Sequence, residues 1–203
     1  VDIGSTALKV VEISQEEDKV ILRRCGVASA EGEDTAELLK KLLDLSGITT
    51  TNVAIAVSSS DVIAKPFEYP PMPGKELLKA IRLEAEQEVT HGKSDMAVDW
   101  HAFPSNGGEA TRGLLAVVPK NTMNRHLEIA KKAGLRPVIA DVAGLALWNA
   151  YWTLLGSKET APKTVLLMNV GAKTTNLIIA KGPDTLILSR DFNLGAKALT
   201  EGH

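Results

Sequence analysis

The chain opens on Val1–Gly4, a short apolar stretch closed by a glycine. Two β-rich runs follow, Ala7–Ser14 and Lys19–Ser29, parted by the polar turn Gln15-Glu16-Glu17-Asp18, and together they predict a hairpin. From Asp34 the period changes. Leu38, Leu39, Leu42, Leu43 and Leu45 recur at helical spacing, Asp34 can cap the start, and Gly47 ends the run after Ser46. Asn52–Val57 reads as a buried strand, and a helix-rich, less regular stretch runs from about Asp61 to Leu135. Pro137–Val142 predicts another strand and Ala143–Leu155 a helix. Thr164–Val170, Thr174–Lys181 and Thr185–Phe192 are then three more strands. The order is three strands, helix, strand, insertion, strand, helix and three strands again.

That recurrence is visible in the residues themselves. Asp2-Ile3-Gly4-Ser5-Thr6-Ala7 leading into Leu8–Ile13 lies over Asn169-Val170-Gly171-Ala172-Lys173-Thr174 leading into Thr175–Ala180. Each has Asp or Asn, one apolar residue, a glycine, a short polar turn and an aliphatic run. The next strands match too, Asp18–Arg24 over Asp184–Arg190, with the register changed by one residue in the intervening turn. The chain reads as two copies of one fold, the second broken off after its third strand.

A glycine two residues after a strand-end carboxylate makes a tight turn whose backbone N–H groups can form a nest for an anion, phosphate above all. Gly4 leaves room for close approach, Ser5 and Thr6 add hydroxyl donors, and Lys9 brings a cation. Asp2 is placed to hold a hydrated Mg²⁺ through waters. In the second turn Gly171, Lys173, Thr174 and Thr175 take these parts, and Asn169 stands where Asp2 stands. Two ordinary hairpin turns with a glycine at the tip are the alternative; the duplication favours phosphate.

Composition narrows the class. A chain of 203 residues with 44% apolar residues and few aromatics fits an α/β protein with an aliphatic core, not a disordered one. No apolar run approaches the roughly 18 residues of a membrane span. A net charge of −2 makes no electrostatic case for nucleic acid. The lone Cys25 has no internal disulfide partner, which points to a reducing, cytoplasmic setting. Both ends read as cut: a strand begins before Val1, Glu201-Gly202-His203 reads as a tag remnant, and the natural protein is expected to continue past Thr200.

At these turns the chain resembles the actin, sugar kinase and heat-shock 70 superfamily. Asp2–Lys9 is similar to its first phosphate motif and Asn169–Thr175 to its second, where the superfamily usually has Asp at the position of Asn169. The gap Ala30–Glu33 is too short for actin's inserted subdomain. The insertion falls between Val57 and Pro137 instead, as in the branch that holds the cell-division protein FtsA and the pilus protein family PilM. Phe67-Glu68-Tyr69-Pro70-Pro71-Met72-Pro73, the helix Ile81–Val89, Leu114–Pro119, Ala133–Pro137 and Asp141–Leu147 resemble the PilM family, and the likeness runs from Val1 to about Thr200.

The resemblance implies an actin-like, ribonuclease-H-like α/β lobe over 1–60 and 136–160. A small inserted α+β domain would occupy 61–135, with the start of a second lobe at 161–200. It implies ATP and Mg²⁺ as ligands, with ATP a conformational ligand more than a fuel and hydrolysis at most slow. Asp2 and Asn169 would meet the metal through water, and Asp141 would either orient a water or cap the helix that follows. The implied partner is the N-terminal peptide of a PilN-like membrane protein, docked between first lobe and inserted domain. That partner would bring the protein to the cytoplasmic face of the inner membrane, and self-association is a further possibility the family holds open. An FtsA-like cell-division protein or a small-molecule kinase is the rival reading. His91, His101 and His126 lack the spacing of a zinc site. Trp148 and Trp152 sit four apart, as core residues do, and the Glu76–Glu88 helix reads as a solvated face over a core.

Overall fold

In the computed structural model the described residues are 1–17, 19–30, 32–88, 95–103, 110–155 and 163–200. His91, the span 156–160 and the expected tag at 201–203 lie outside them. The chain divides into two compact units.

The first unit holds Val1–Val57 and Thr122–Asp141. Its strands are β1 (Asp2–Ile3), β2 (Ala7–Glu16), β3 (Lys19–Ser29), β4 (Asn52–Val57) and β8 (Arg136–Val142), in the sheet order β3-β2-β1-β4-β8. β1 runs antiparallel to β2 and parallel to β4. Helix α1 (Thr35–Ser46) forms where the sequence predicts it. The Asp34 carboxylate accepts from Ala36 N at 2.9 Å and Glu37 N at 3.1 Å, and Gly47 closes the helix in the left-handed region at φ 66°. Leu39, Leu42 and Leu43 of α1 and Ala130 of α3 (Lys120–Lys132) pack on Leu8, Val10 and Ile55. Each such leucine contributes roughly 1.5–3 kcal/mol through burial. The opposite face of β2 and β3 stays open: Val11 is 58% and Val27 70% exposed.

The second unit holds Ser58–Asn121 and the chain from Val142 on. The stretch expected to be rich in helix carries three strands, β5 (Ile63–Tyr69), β6 (Met96–Ala102) and β7 (Thr111–Pro119), as an antiparallel sheet in the order β5-β7-β6. Pro66 is accommodated because β5 is an edge strand. Helix α2 (Gly74–Glu88) lays Leu77, Ile81 and Ala85 on Phe67, Leu115 and Val117. The other sheet of this unit is β11-β10-β9, from β9 (Thr164–Val170), β10 (Thr175–Lys181) and β11 (Thr185–Phe192). Helix α4 (Ala143–Leu154) covers it through Trp148, which packs with Ile178, Ala180 and Leu186. Trp152 and Leu114 join that cluster, so the tryptophan pair serves the core. A short helix, α5 (Ala196–Thr200), ends the described chain.

The repeat read from sequence extends to backbone irregularities. The β2–β3 register shifts between Glu12 and Ile13, and the β10–β11 register between Ile179 and Ala180. The sequence alignment sets those two pairs on one another.

Candidate functional site: two glycine turns

In the first unit, Gly4 N donates to Ala7 O at 3.1 Å. A Cβ on Gly4 would stand 2.6 Å from that oxygen, so only glycine lets the chain turn this tightly. In the second unit Gly171 N donates to Thr174 O at 2.9 Å, and a Cβ there would stand 2.8 Å from the same acceptor. The two turns close in the same way at the same place in the repeat.

Each turn sits at the end of a row of side chains across its sheet. In the first unit Asp2 faces Lys9, which faces Val27. Lys9 Nζ donates to Asp2 Oδ2 at 2.8 Å, and both side chains are about half exposed (54% and 50%), so the pair opens to a ligand at small cost. A site Cβ at Gly4 would lie 3.8 Å from Lys9 Nζ, which puts the cation beside the space that the glycine vacates. Ser5 is exposed at the tip, while Thr6 O accepts from Ala30 N at 2.8 Å.

In the second unit the matching row is Asn169, Asn176 and Asp191. Asn169 Nδ2 donates to Asn176 Oδ1 at 3.0 Å, and Asn176 Nδ2 to Ser58 Oγ at 2.8 Å. Ser58 Oγ donates to Asp191 Oδ2 at 2.9 Å, which also accepts from Ser59 N at 3.2 Å. Asn176 is only 3% exposed, and this chain of partners satisfies its buried amide. Neither Asn176, Ser58 nor Asp191 stands out in the sequence. Asn176 could have been found from the repeat, which sets it on Lys9, whereas Ser58 and Asp191 are far apart in the chain.

The back of the second turn is tied down. Ala196 N donates to Gly171 O at 2.8 Å and Lys197 N to Ala172 O at 3.0 Å. In a trans peptide the N–H opposes the C=O, so the N–H groups of Ala172 and Lys173 point away from α5, as an anion nest requires. Gly195 permits this contact, since a Cβ there would come within 2.5 Å of the Ala172 carbonyl. Thr175 Oγ1 donates to Leu194 O at 2.6 Å, so its hydroxyl braces the same segment. Lys173 is exposed and Thr174 half-buried at the tip. The glycine cradles and their hydroxyl and cationic neighbours fit a phosphate group. Asp2 and Asn169 each bring a side-chain oxygen beside a turn, of a type that can accept from the waters of a hydrated cation.

Asp141 lies in β8, one residue before Val142, which takes the N-cap position of α4. Arg136 N donates to Thr51 O at 2.8 Å where β8 and β4 begin. Asp2 is registered with Ala56 of β4, so Asp2 and Asp141 lie toward the same end of the sheet with β4 between them.

Other polar groups are accounted for elsewhere. Lys65 of β5 pairs with Glu84 at 2.9 Å and with Glu88, both of α2, and Tyr69 donates to Glu84. Burial, then the Glu84 contact, pushes the Tyr69 pKa up to about 12. Burial alone would raise Glu84, but its hydrogen bonds from Tyr69 and Lys65 outweigh that and hold it below the usual carboxylate value. Glu84 and Glu88 therefore clasp the sheet instead of forming a free acidic stripe. His126 is buried with Nδ1 2.8 Å from Thr122 O, and His101 stands edge-on to Phe103. Among the described residues no group of three His, Cys, Asp or Glu could hold a metal by itself, and no helix is long and apolar enough to cross a membrane.

A search of curated protein sequences returns no match. Among solved structures, the cytoplasmic domain of EpsL, an inner membrane component of the Vibrio cholerae type II secretion system, aligns with a TM-score of 0.57. At 15% identity, over 98% of this chain and 71% of that one, it shows a common fold. A structure described as the PilM-PilN type IV pilus biogenesis complex aligns with a TM-score of 0.80 and 28% identity. The match covers 98% of this chain but only 62% of that one, so this chain spans less than two thirds of its relative. The family profile described as type IV pilus assembly protein PilM matches residues 1–202, and on that match, joined to the fold, the chain belongs to the PilM family of type IV pilus assembly proteins.

Proposed function

We propose that this protein is an actin-like, ATP-binding scaffold of type IV pilus assembly. In this reading each of its two glycine turns is a site for the phosphates of ATP with Mg²⁺, and it takes the N-terminal peptide of a PilN-like partner. The observation that carries the nucleotide half is the duplicated turn: Gly4 and Gly171 are closed by the same hydrogen bond, each with backbone where a Cβ would go. Gly4, Ser5, Thr6 and Lys9 are the phosphate-binding residues of the first turn. Gly171, Lys173 and Thr174 are those of the second, with Thr175 bracing the turn from behind. Mg²⁺ supplies charge neutralisation between phosphates, and Asp2 and Asn169 accept hydrogen bonds from its waters. Asp141 shares a sheet end with Asp2 and is the residue to orient a further water.

The partner half rests on the likeness to a PilM from a complex with PilN. Association with the inner membrane would then come through that partner. The inserted segment with its own three-stranded sheet, and the beginning of a second lobe at β9–β11, complete the family arrangement in this reading. Two titrations test the proposal. Calorimetry should show ATP binding that Mg²⁺ strengthens; absence of any ATP binding would remove the nucleotide half. A labelled N-terminal PilN peptide from the same organism should bind with a Kd of about 1 μM, near −8 kcal/mol. Failure of that peptide to bind would remove the partner half.

A further inference from the structure

The second row of the repeat contains a carboxylate, two strands from where the first row has it. Asp2 lies on the first strand of its sheet, and Asp191 on the third strand of the other. Between Asp191 and the glycine turn stand Ser58, Asn176 and Asn169, joined in series. Chemistry fixes the direction of that series. A carboxylate only accepts, so Ser58 must give its one hydroxyl proton to Asp191. The Ser58 oxygen is then free only to accept, which turns the Asn176 NH₂ group toward it. Asn176 must therefore present Oδ1 to Asn169, and Asn169 must answer with its NH₂. The amide orientations follow from Asp191 and do not depend on telling N from O in either side chain.

Asn169 is thus held with its Nδ2 turned inward and its Oδ1 turned outward, on an exposed side chain two residues before Gly171. Hydrogen bonds in series polarise one another, so the Asp191 charge raises the electron density on that outward oxygen. We propose that Asn176, Ser58 and Asp191 are positioning residues: they make Asn169 Oδ1 a fixed acceptor for the water shell of the Mg²⁺ that accompanies a phosphate at the Gly171 turn. The proposal rests on the nucleotide reading above. It explains how an amide serves where the first copy uses a carboxylate. It also carries a consequence for the obvious repair. In Asn169→Asp, a carboxylate faces Asn176 Oδ1, oxygen to oxygen. The row can relieve this only by turning Asn176 and Ser58 round, which takes the Ser58 donor away from Asp191. Asn169→Asp is therefore expected to lower the melting temperature.

The test uses Asn176→Leu and, as a milder change, Ser58→Ala, with two readouts. The first needs no nucleotide: in ¹⁵N-correlated spectra, both variants should shift the side-chain NH₂ signals of Asn169. The second is the ratio of ATP affinity with and without Mg²⁺. Outer-shell partners of a metal site are worth about 10-fold or more in metal affinity, and the ratio should fall by that order in both variants. ATP affinity without Mg²⁺, which depends on the turn's backbone, should stay within about twofold. If the unsubstituted protein does not bind ATP, the nucleotide reading and this proposal fall together. If it binds ATP and both folded variants keep its Mg²⁺ ratio, this proposal alone is wrong and the nucleotide reading stands.

Discussion

The first hairpin of the chain and its copy after α4 share a turn, a closing hydrogen bond and a β-bulge, yet they are covered on opposite faces. In the first copy α1 and α3 pack on Leu8 and Val10, and the face bearing Lys9, Val11 and Val27 is open. In the second copy α4 packs on Ile178 and Ala180, which the repeat sets on Val11 and Ile13, and Leu166, Met168 and Val170 of β9 are exposed instead. The local geometry of the turn is therefore encoded in the turn itself, because it survives a complete change of surroundings. What the surroundings change is the polar row behind it. On an open face, a lysine and an aspartate meet in water. Beneath a helix, a buried amide needs every partner satisfied, and a four-membered hydrogen-bonded series results.

The largest contrast should come from one aligned pair of residues. Ile178 is fully buried and Val11 is 58% exposed. Ile178→Ala should cost ~2–5 kcal/mol in chemical denaturation, and Val11→Ala within about 0.5 kcal/mol of nothing. Similar losses from both would mean that the open face is covered in solution. The turns themselves should behave alike: Gly4→Ala and Gly171→Ala each force a Cβ onto backbone oxygen, at about 1–3 kcal/mol. Unequal costs would show that one turn relaxes where the other does not.

The rows should then part again, by a smaller amount. Asn176→Leu strands the Ser58 and Asn169 groups that it satisfied and should cost about 1–3 kcal/mol. Lys9→Met removes only an exposed ion pair and should cost at most about 1 kcal/mol. The smallest effect is a matter of pH and should leave both hairpins out. Tyr69 has a folded pKa of about 12 against an ordinary 10.0, so its contribution is complete below pH 10 and is lost as pH rises toward 12. Glu84, held low, contributes above its ordinary 4.5 and loses that as pH falls through its folded value. The denaturation midpoint of Tyr69→Phe should lack the alkaline decline and show a weaker acid one, because the Tyr69 hydroxyl is the first of the groups that hold Glu84 low.

Much of this was legible in the sequence because its signals are local. Asp34 and Gly47 bracket α1 as caps do, and the repeat places both glycine turns before any coordinates are known. The strands of the insertion were less legible. β5 carries Lys65, Pro66 and Glu68, and it forms because Phe67 joins the core that α2 covers, Ala64 is buried on the other face and Pro66 falls on an edge. The same holds for Glu84 and Glu88, whose spacing shows a common face but not the Lys65 beneath it. The row behind the second turn was the least legible. It joins Ser58 to Asn176 and Asp191, and no periodicity links a serine at a strand end to residues so distant in the chain.

The central proposal is that each glycine turn holds ATP phosphate, and the most direct test is the ATP affinity of three proteins measured by calorimetry with Mg²⁺ present. The unsubstituted protein should bind. Gly4→Ala and Gly171→Ala should each lose at least about tenfold, or 1.4 kcal/mol, while still melting cooperatively. Equal affinity in either folded variant would contradict the claim, since a turn that tolerates a side chain in its cradle is not holding a phosphate there.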